Sequence, residues 1–176
     1  MRNAVVSPSL RRMTWLPADF VHPERVDLPG GYYLRPIRGT DTELDYPAVM
    51  GSRERLWSLY GEAWGWPPAT MTYQQDLDDL IRHEAEIEAH ESFNYALFDE
   101  AGTALLGCVY IDPSRKAGAD AEVSWWVVDA QVGTQLERDL DALVPAWLAQ
   151  EWPFRQPCLV GREVSWQDWL ARPDLD

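Results

Sequence analysis

FNYALFD (93–99), TALLGCVYID (103–112) and AEVSWWVV (121–128) are the three runs on which the reading of this chain turns. Each is rich in β-branched and aromatic residues and bounded by turn formers. Glu100 to Gly102 lies between the first and second, and PSRKAGAD (113–120) between the second and third. They predict three consecutive strands, the first two closed as a hairpin. Side chains alternate along a strand, so Glu122, Ser124 and Trp126 share one face of the third.

Toward the N-terminus, Thr72 with Gln75 has capping-box spacing ahead of Leu77, Leu80, Ile81 and Ile87, which predicts a helix with one buried stripe and acidic remaining faces. Two helical pieces precede it: one capped by Thr40 or Asp41 and interrupted near Pro47, the next over 51–60 and broken by WGWPP. YYLRPI (32–37) reads as the first strand. Residues 1–31, with four prolines and the pair Gly30–Gly31, read as an extended arm that wraps a single domain formed by 32–176.

Toward the C-terminus, 133–151 carries Leu136, Leu140, Leu143, Val144, Trp147 and Leu148 on one stripe, a helix that Pro145 should kink. PCLVG (157–161) suits a short buried strand, and Ser165 with Asp168 the first turn of a brief helix. The fold class is therefore α+β, or mixed α/β, around one sheet.

Composition removes several classes of function. The 176 residues carry Lys+Arg 15 against Asp+Glu 29, a net charge of -14, which repels nucleic-acid phosphates and anionic lipid. Cys108 and Cys158 sit in apolar runs without a disulfide framework. No window approaches the ~20 apolar residues of a membrane span, and the first residues lack the apolar core of a signal peptide, so a cytoplasmic location is expected. His83-Glu84 with His90 misses the four-residue histidine spacing of a zinc helix, and the acidic run 76–91 lacks the glycine of a calcium loop, so no metal is expected.

The order strand, two helical pieces, helix, three strands, helix, strand resembles the GNAT superfamily of acyl-coenzyme A dependent N-acyltransferases over roughly 32–161. TALLGCVYID is similar to the family's third strand and AEVSWWVVD to its fourth. The resemblance implies a mostly antiparallel central sheet flanked by helices, acetyl-coenzyme A as acyl donor, and an amine of a small molecule or peptide as acceptor. It places the thioester contacts at the backbone of Trp126, Val127 and Val128. It places the pyrophosphate at Gly133, Thr134 and Gln135 with Arg138 nearby, because backbone N–H groups at a helix start attract phosphate.

Two departures follow. Of the glycines in the family's Q/R-x-x-G-x-G/A turn only Gly133 stands here, and Glu137 brings a negative charge to the same turn unless the rotation of the helix, which the sequence does not fix, points it outward. The family's late tyrosine has no counterpart, and the usual final helix and hairpin are missing, which leaves a sheet edge for the arm or a second copy to cover.

Glu122 stands where the histone-acetylating branch of the family has its general base; a solvated glutamate at a strand edge is the other reading. Tyr60, Trp64 and Trp66, with Ser124, offer an aromatic wall for an acceptor, or simply core. Two functions are thus compatible with the chain: an N-acetyltransferase, or a catalytically silent module of the same fold.

Overall fold

The apolar runs pair into one six-stranded sheet in the order β1-β2-β3-β4-β5-β6, seen in a computed structural model that describes residues 15–175. The strands are β1 (Val26–Asp27), β2 (Tyr33–Pro36), β3 (Phe93–Phe98), β4 (Leu105–Pro113), β5 (Ala121–Val127) and β6 (Pro157–Leu159). Neighbours are antiparallel except β5 and β6, which run parallel. The three runs that opened the sequence are β3, β4 and β5. Asp99 closes the hairpin by accepting hydrogen bonds from the N–H groups of Thr103 (2.7 Å) and Ala104 (2.9 Å).

Five α-helices flank the sheet: α1 (Thr42–Gly51), α2 (Arg53–Trp64), α3 (Tyr73–Glu88), α4 (Gln135–Glu151) and α5 (Trp166–Leu170). The capping box of α3 is formed, Thr72 Oγ1 accepting from Gln75 N at 3.2 Å and Gln75 Oε1 from Thr72 N at 2.9 Å. The apolar stripe of α4 buries Leu136, Leu140, Val144, Trp147 and Leu148. Trp147 meets Tyr95 of β3 edge-on at 4.8 Å. Burial of side chains of this size, at roughly 1.5–3 kcal/mol each, is what holds α4 to its face of the sheet.

Three expectations need correction or limits. α1 is not interrupted at Pro47 but runs through it. The missing N–H costs one helical bond, while the helix buries Asp45 and Val49 against α3 and β4. The arm adds a strand of its own: β1 pairs with β2, Leu16 is buried, and Tyr95 donates its hydroxyl to Pro23 O at 2.7 Å. The part of the arm call on residues 1–14 lies outside the described residues. The far edge of the sheet, which the sequence left for the arm or a second copy to cover, is short and flanked by α5. β6 has only three residues, a short edge of the kind that templates little pairing, and α5 packs Trp169 beside Cys158 and Val160. Among the described residues no helix is long and apolar enough to cross a membrane.

Candidate active site

The β4–β5 register sets the site. Asp112 lies opposite Glu122, Tyr110 opposite Ser124 and Cys108 opposite Trp126, so these six side chains share one face of the sheet. The same face receives Tyr60 from α2, whose hydroxyl is 3.3 Å from Ser124 Oγ, while Trp126 Nε1 donates to Tyr110 Oη at 2.9 Å. Tyr60, Ser124 and Trp126 are all but fully buried and form a back wall. Gly65, at φ 62°, ends α2 and turns the chain so that Trp64 and Trp66 stand in front of that wall. Trp64 stacks on Tyr60 with ring centroids 4.5 Å apart, and Trp66 meets the Tyr60 ring edge-on at 5.8 Å.

Trp64, Trp66, Tyr110 and Trp166 line a cleft of about 1730 Å³ that also exposes Glu122 and Asp112. Of the residues expected to form the acceptor pocket, two are therefore lining and two, Tyr60 and Ser124, support the lining from behind.

Glu122 is partly buried, and Trp169 Nε1 donates to its Oε2 at 2.8 Å. Burial raises the Glu122 pKa, and the Trp169 bond works against that rise. Its cross-strand partner Asp112 is pushed up to about 7, first by burial and then by the charge of Glu122. Two carboxyl groups held opposite one another resist simultaneous ionisation, and the pair holds a proton near neutral pH. Asp112 was not singled out from the sequence. The signal was there: two strands meeting across the loop 113–120 pair positions symmetric about residue 117, which puts 112 against 122.

The last two strands part above this pair. Registered pairing between β5 and β6 stops at Val123 with Leu159, the final bond running from Val160 N to Val123 O at 2.9 Å. That bond, with Val128 N donating to Leu106 O at 2.8 Å, fixes which way each peptide faces. Even-numbered residues of β5 turn their backbone groups to β4, and odd-numbered residues turn theirs to β6. Trp125 and Val127 therefore present peptide groups to the opening, whereas Trp126 turns its own to β4 and Val128 gives its N–H to Leu106 O and its carbonyl to Gln131 N. The Arg55 guanidinium of α2 donates to the Val127 carbonyl and pairs with Asp129 at 2.6 Å. On the α4 side the opening is bounded by Asp141, which accepts from Trp125 Nε1 at 2.7 Å and Arg162 Nε at 3.1 Å.

The remaining expected residues collect at the head of α4. Gly133 has φ 77° and open space where a side chain would stand. Thr134 is the N-cap residue but makes no side-chain cap, its hydroxyl bonding Gln131 O at 2.7 Å instead. Arg138 reaches back to Gly133 O at 2.9 Å and to Gln135 Oε1 at 3.1 Å. Glu137 also folds back, its Oε2 accepting from Gly133 N at 2.6 Å. The carboxylate thus caps the very turn where an anion would be received.

A mostly antiparallel sheet whose last, parallel pair splays beside a helix N-terminus is the architecture of the GNAT acyltransferases, and this chain has that fold. Solved structures share it. An acetyltransferase from Salmonella typhimurium that modifies the N-terminal serine of a 50S ribosomal subunit protein superposes with a TM-score of 0.60 at 12% identity, over 77% of this chain and 74% of that one. A ribosomal-protein-alanine acetyltransferase from Vibrio fischeri gives 0.52 at 14%, over 71% and 67%. A ribosomal α-N-protein acetyltransferase in complex with coenzyme A gives 0.56 at 13%, over 70% and 67%. At these identities the likeness is one of fold. No family model matches the sequence, and no curated protein matches it.

Proposed function

We propose that this chain is a cytoplasmic N-acetyltransferase that transfers the acetyl group of acetyl-coenzyme A to an amine of a small molecule or peptide. One observation carries the reading: the sheet opens directly beside a proton-holding carboxyl pair. Pairing of β5 with β6 ends at Val123, and Glu122 with Asp112 stands at the mouth of the aromatic cleft one residue earlier. The structural neighbours named as acetyltransferases, one of them bound to coenzyme A, support the same reaction class.

Acetyl-coenzyme A would supply an activated thioester carbonyl. The chain's own groups do the rest. The N–H groups of Trp125 and Val127 face the opening and can polarise a carbonyl oxygen there, an effect worth a few kcal/mol in acyl transfer. Glu122 and Asp112 accept the proton that the attacking amine must lose, and the pKa of Asp112, about 7, suits a group that exchanges protons at neutral pH. Trp64, Trp66 and Trp166 shield the amine from water.

The head of α4 fits a pyrophosphate in two respects: the open backbone at Gly133 and the guanidinium of Arg138. Glu137 opposes it and must swing away from Gly133 when phosphate arrives.

Free-thiol release from acetyl-coenzyme A over a panel of amines tests the reading. The parent chain should release thiol with at least one amine, and Glu122→Gln together with Asp112→Asn should lower kcat by roughly 100-fold or more. Unchanged turnover in both variants removes the carboxyl pair from the reaction. No release, and no thermal shift at millimolar acetyl-coenzyme A, leaves the silent module.

A further inference from the structure

The cleft contains a second acidic pair that the proposed chemistry does not use. Asp45 of α1 and Asp76 of α3 both line it, at 3% and 2% exposure. Cys108 Sγ lies 3.9 Å from Asp45 Oδ1, which fixes the pair over the Cys108 position of β4. Burial raises the pKa of both carboxyls, that of Asp76 to about 6. A buried carboxyl pair is a cost to folding unless something neutralises it.

Two further atoms point to what that is. Asp76 Oδ2 and Asn94 Oδ1 are buried side-chain oxygens without a hydrogen-bond partner among the described residues, and both residues line this cleft. The other orphaned side-chain atoms, Arg53 Nε and the indole nitrogens of Trp147 and Trp152, belong to residues outside the lining. Orphaned acceptors call for a donor. The cleft as a whole is lined by ten Asp or Glu side chains against three Arg or Lys, so the donor it favours is cationic. Tyr110 and the tryptophan faces between the two acidic pairs suit an aliphatic chain bearing positive charge.

Spacing narrows the class. Asp112 and Cys108 point to the same face four residues apart, so the two acidic pairs stand roughly 13 Å from each other along β4. A monoamine cannot reach both.

We propose that the cleft selects an aliphatic polyamine as acyl acceptor, one terminal nitrogen held beside Glu122 and Asp112 for acetylation, a distant ammonium bound by Asp76, and the chain between them passing Asn94, which stands opposite Tyr110. The terminal nitrogens of spermidine, nine bonds apart, span about 11 Å when extended, which suits this spacing. The inference rests on the acetyltransferase reading for the fate of the first nitrogen; binding of the second does not.

Calorimetric titration of the full chain with spermidine and with hexylamine, without acyl donor, tests it. Spermidine should bind about tenfold or more tightly than hexylamine, and Asp76→Asn should abolish most of that preference while changing hexylamine affinity little. Asn94→Leu, which removes an orphaned polar atom and so should fold well, should give a loss in the same direction. Equal affinity for the two amines in the parent chain, or a preference untouched by both variants, overturns the proposal. Spermidine binding without thiol release from acetyl-coenzyme A would retain the cation site and discard acetyl transfer. Thiol release with monoamines as fast as with spermidine would do the reverse.

Discussion

Replacing Glu137 by glutamine isolates the contact that opposes an acyl-coenzyme A donor at the head of α4. In the free chain its carboxylate accepts from Gly133 N at 2.6 Å, so an incoming phosphate must displace a charge-assisted hydrogen bond. Such bonds contribute roughly 1.5–3 kcal/mol and neutral ones about 0.5–1.5, so an amide in place of the carboxylate should be easier to displace by about 1 kcal/mol. Once displaced, a carboxylate left ~4 Å from a phosphate oxygen costs about another 1 kcal/mol in a water-like dielectric, the appropriate limit for a partly exposed side chain. Together these amount to about 2 kcal/mol, or roughly 30-fold in affinity. The assay is calorimetric titration of acetyl-coenzyme A into parent and Glu137→Gln at matched ionic strength, with the ligand-free melting temperatures compared to show that both are folded. If the Kd values agree within about twofold, Glu137 is no competitor for the phosphate position and the assignment of that turn as a pyrophosphate cradle fails.

Asp112 and Gly107 give two further tests. With a pKa of about 7 in the folded chain against roughly 3.9 unfolded, Asp112 binds a proton natively that the unfolded chain has already lost, so its contribution to stability is full below about pH 4 and is lost as pH rises to 7. Asp112→Asn should accordingly be more stable than the parent by roughly 1–2 kcal/mol at pH 8, with the difference closing toward pH 4 in urea denaturation; a gap of equal size at both pH values rejects the assignment. At Gly107 an added Cβ would meet Trp126 O at 2.2 Å and Val127 Cα at 3.1 Å, both backbone and unable to yield cheaply. Gly107→Ala should therefore destabilise by about 2 kcal/mol or more, and wild-type thermal stability in that variant would show that β4 and β5 do not approach as closely as drawn.

Local chemistry made much of this molecule legible before any coordinates. The three apolar runs with their turn formers, the Thr72–Gln75 cap, the stripe of α4 and the Ser165 cap of α5, whose Oγ accepts from Asp168 N at 3.0 Å, are decided by neighbours within a few residues. Alternation along β5 likewise placed Glu122, Ser124 and Trp126 on one face. The failure at Pro47 has the opposite cause. The propensity signal there was sound, but packing of α1 on α3 and β4 outweighed one lost hydrogen bond.

What the sequence could not supply was juxtaposition between distant segments. Asp45, Asp76 and Asn94 come from two helices and a strand, and nothing in the spacing of 45, 76 and 94 says that they line one cleft. Which β5 peptide groups stay unpaired depends on where β6 lets go, and registered pairing stops at Val123 with Leu159. The same holds for Glu137: its residue type was a warning in the sequence, but only the rotation of α4 about its axis determined that the carboxylate turns back onto Gly133 rather than out to solvent. Composition and periodicity act over one or two turns of chain; the partners of a buried charge are chosen by the packing of whole elements.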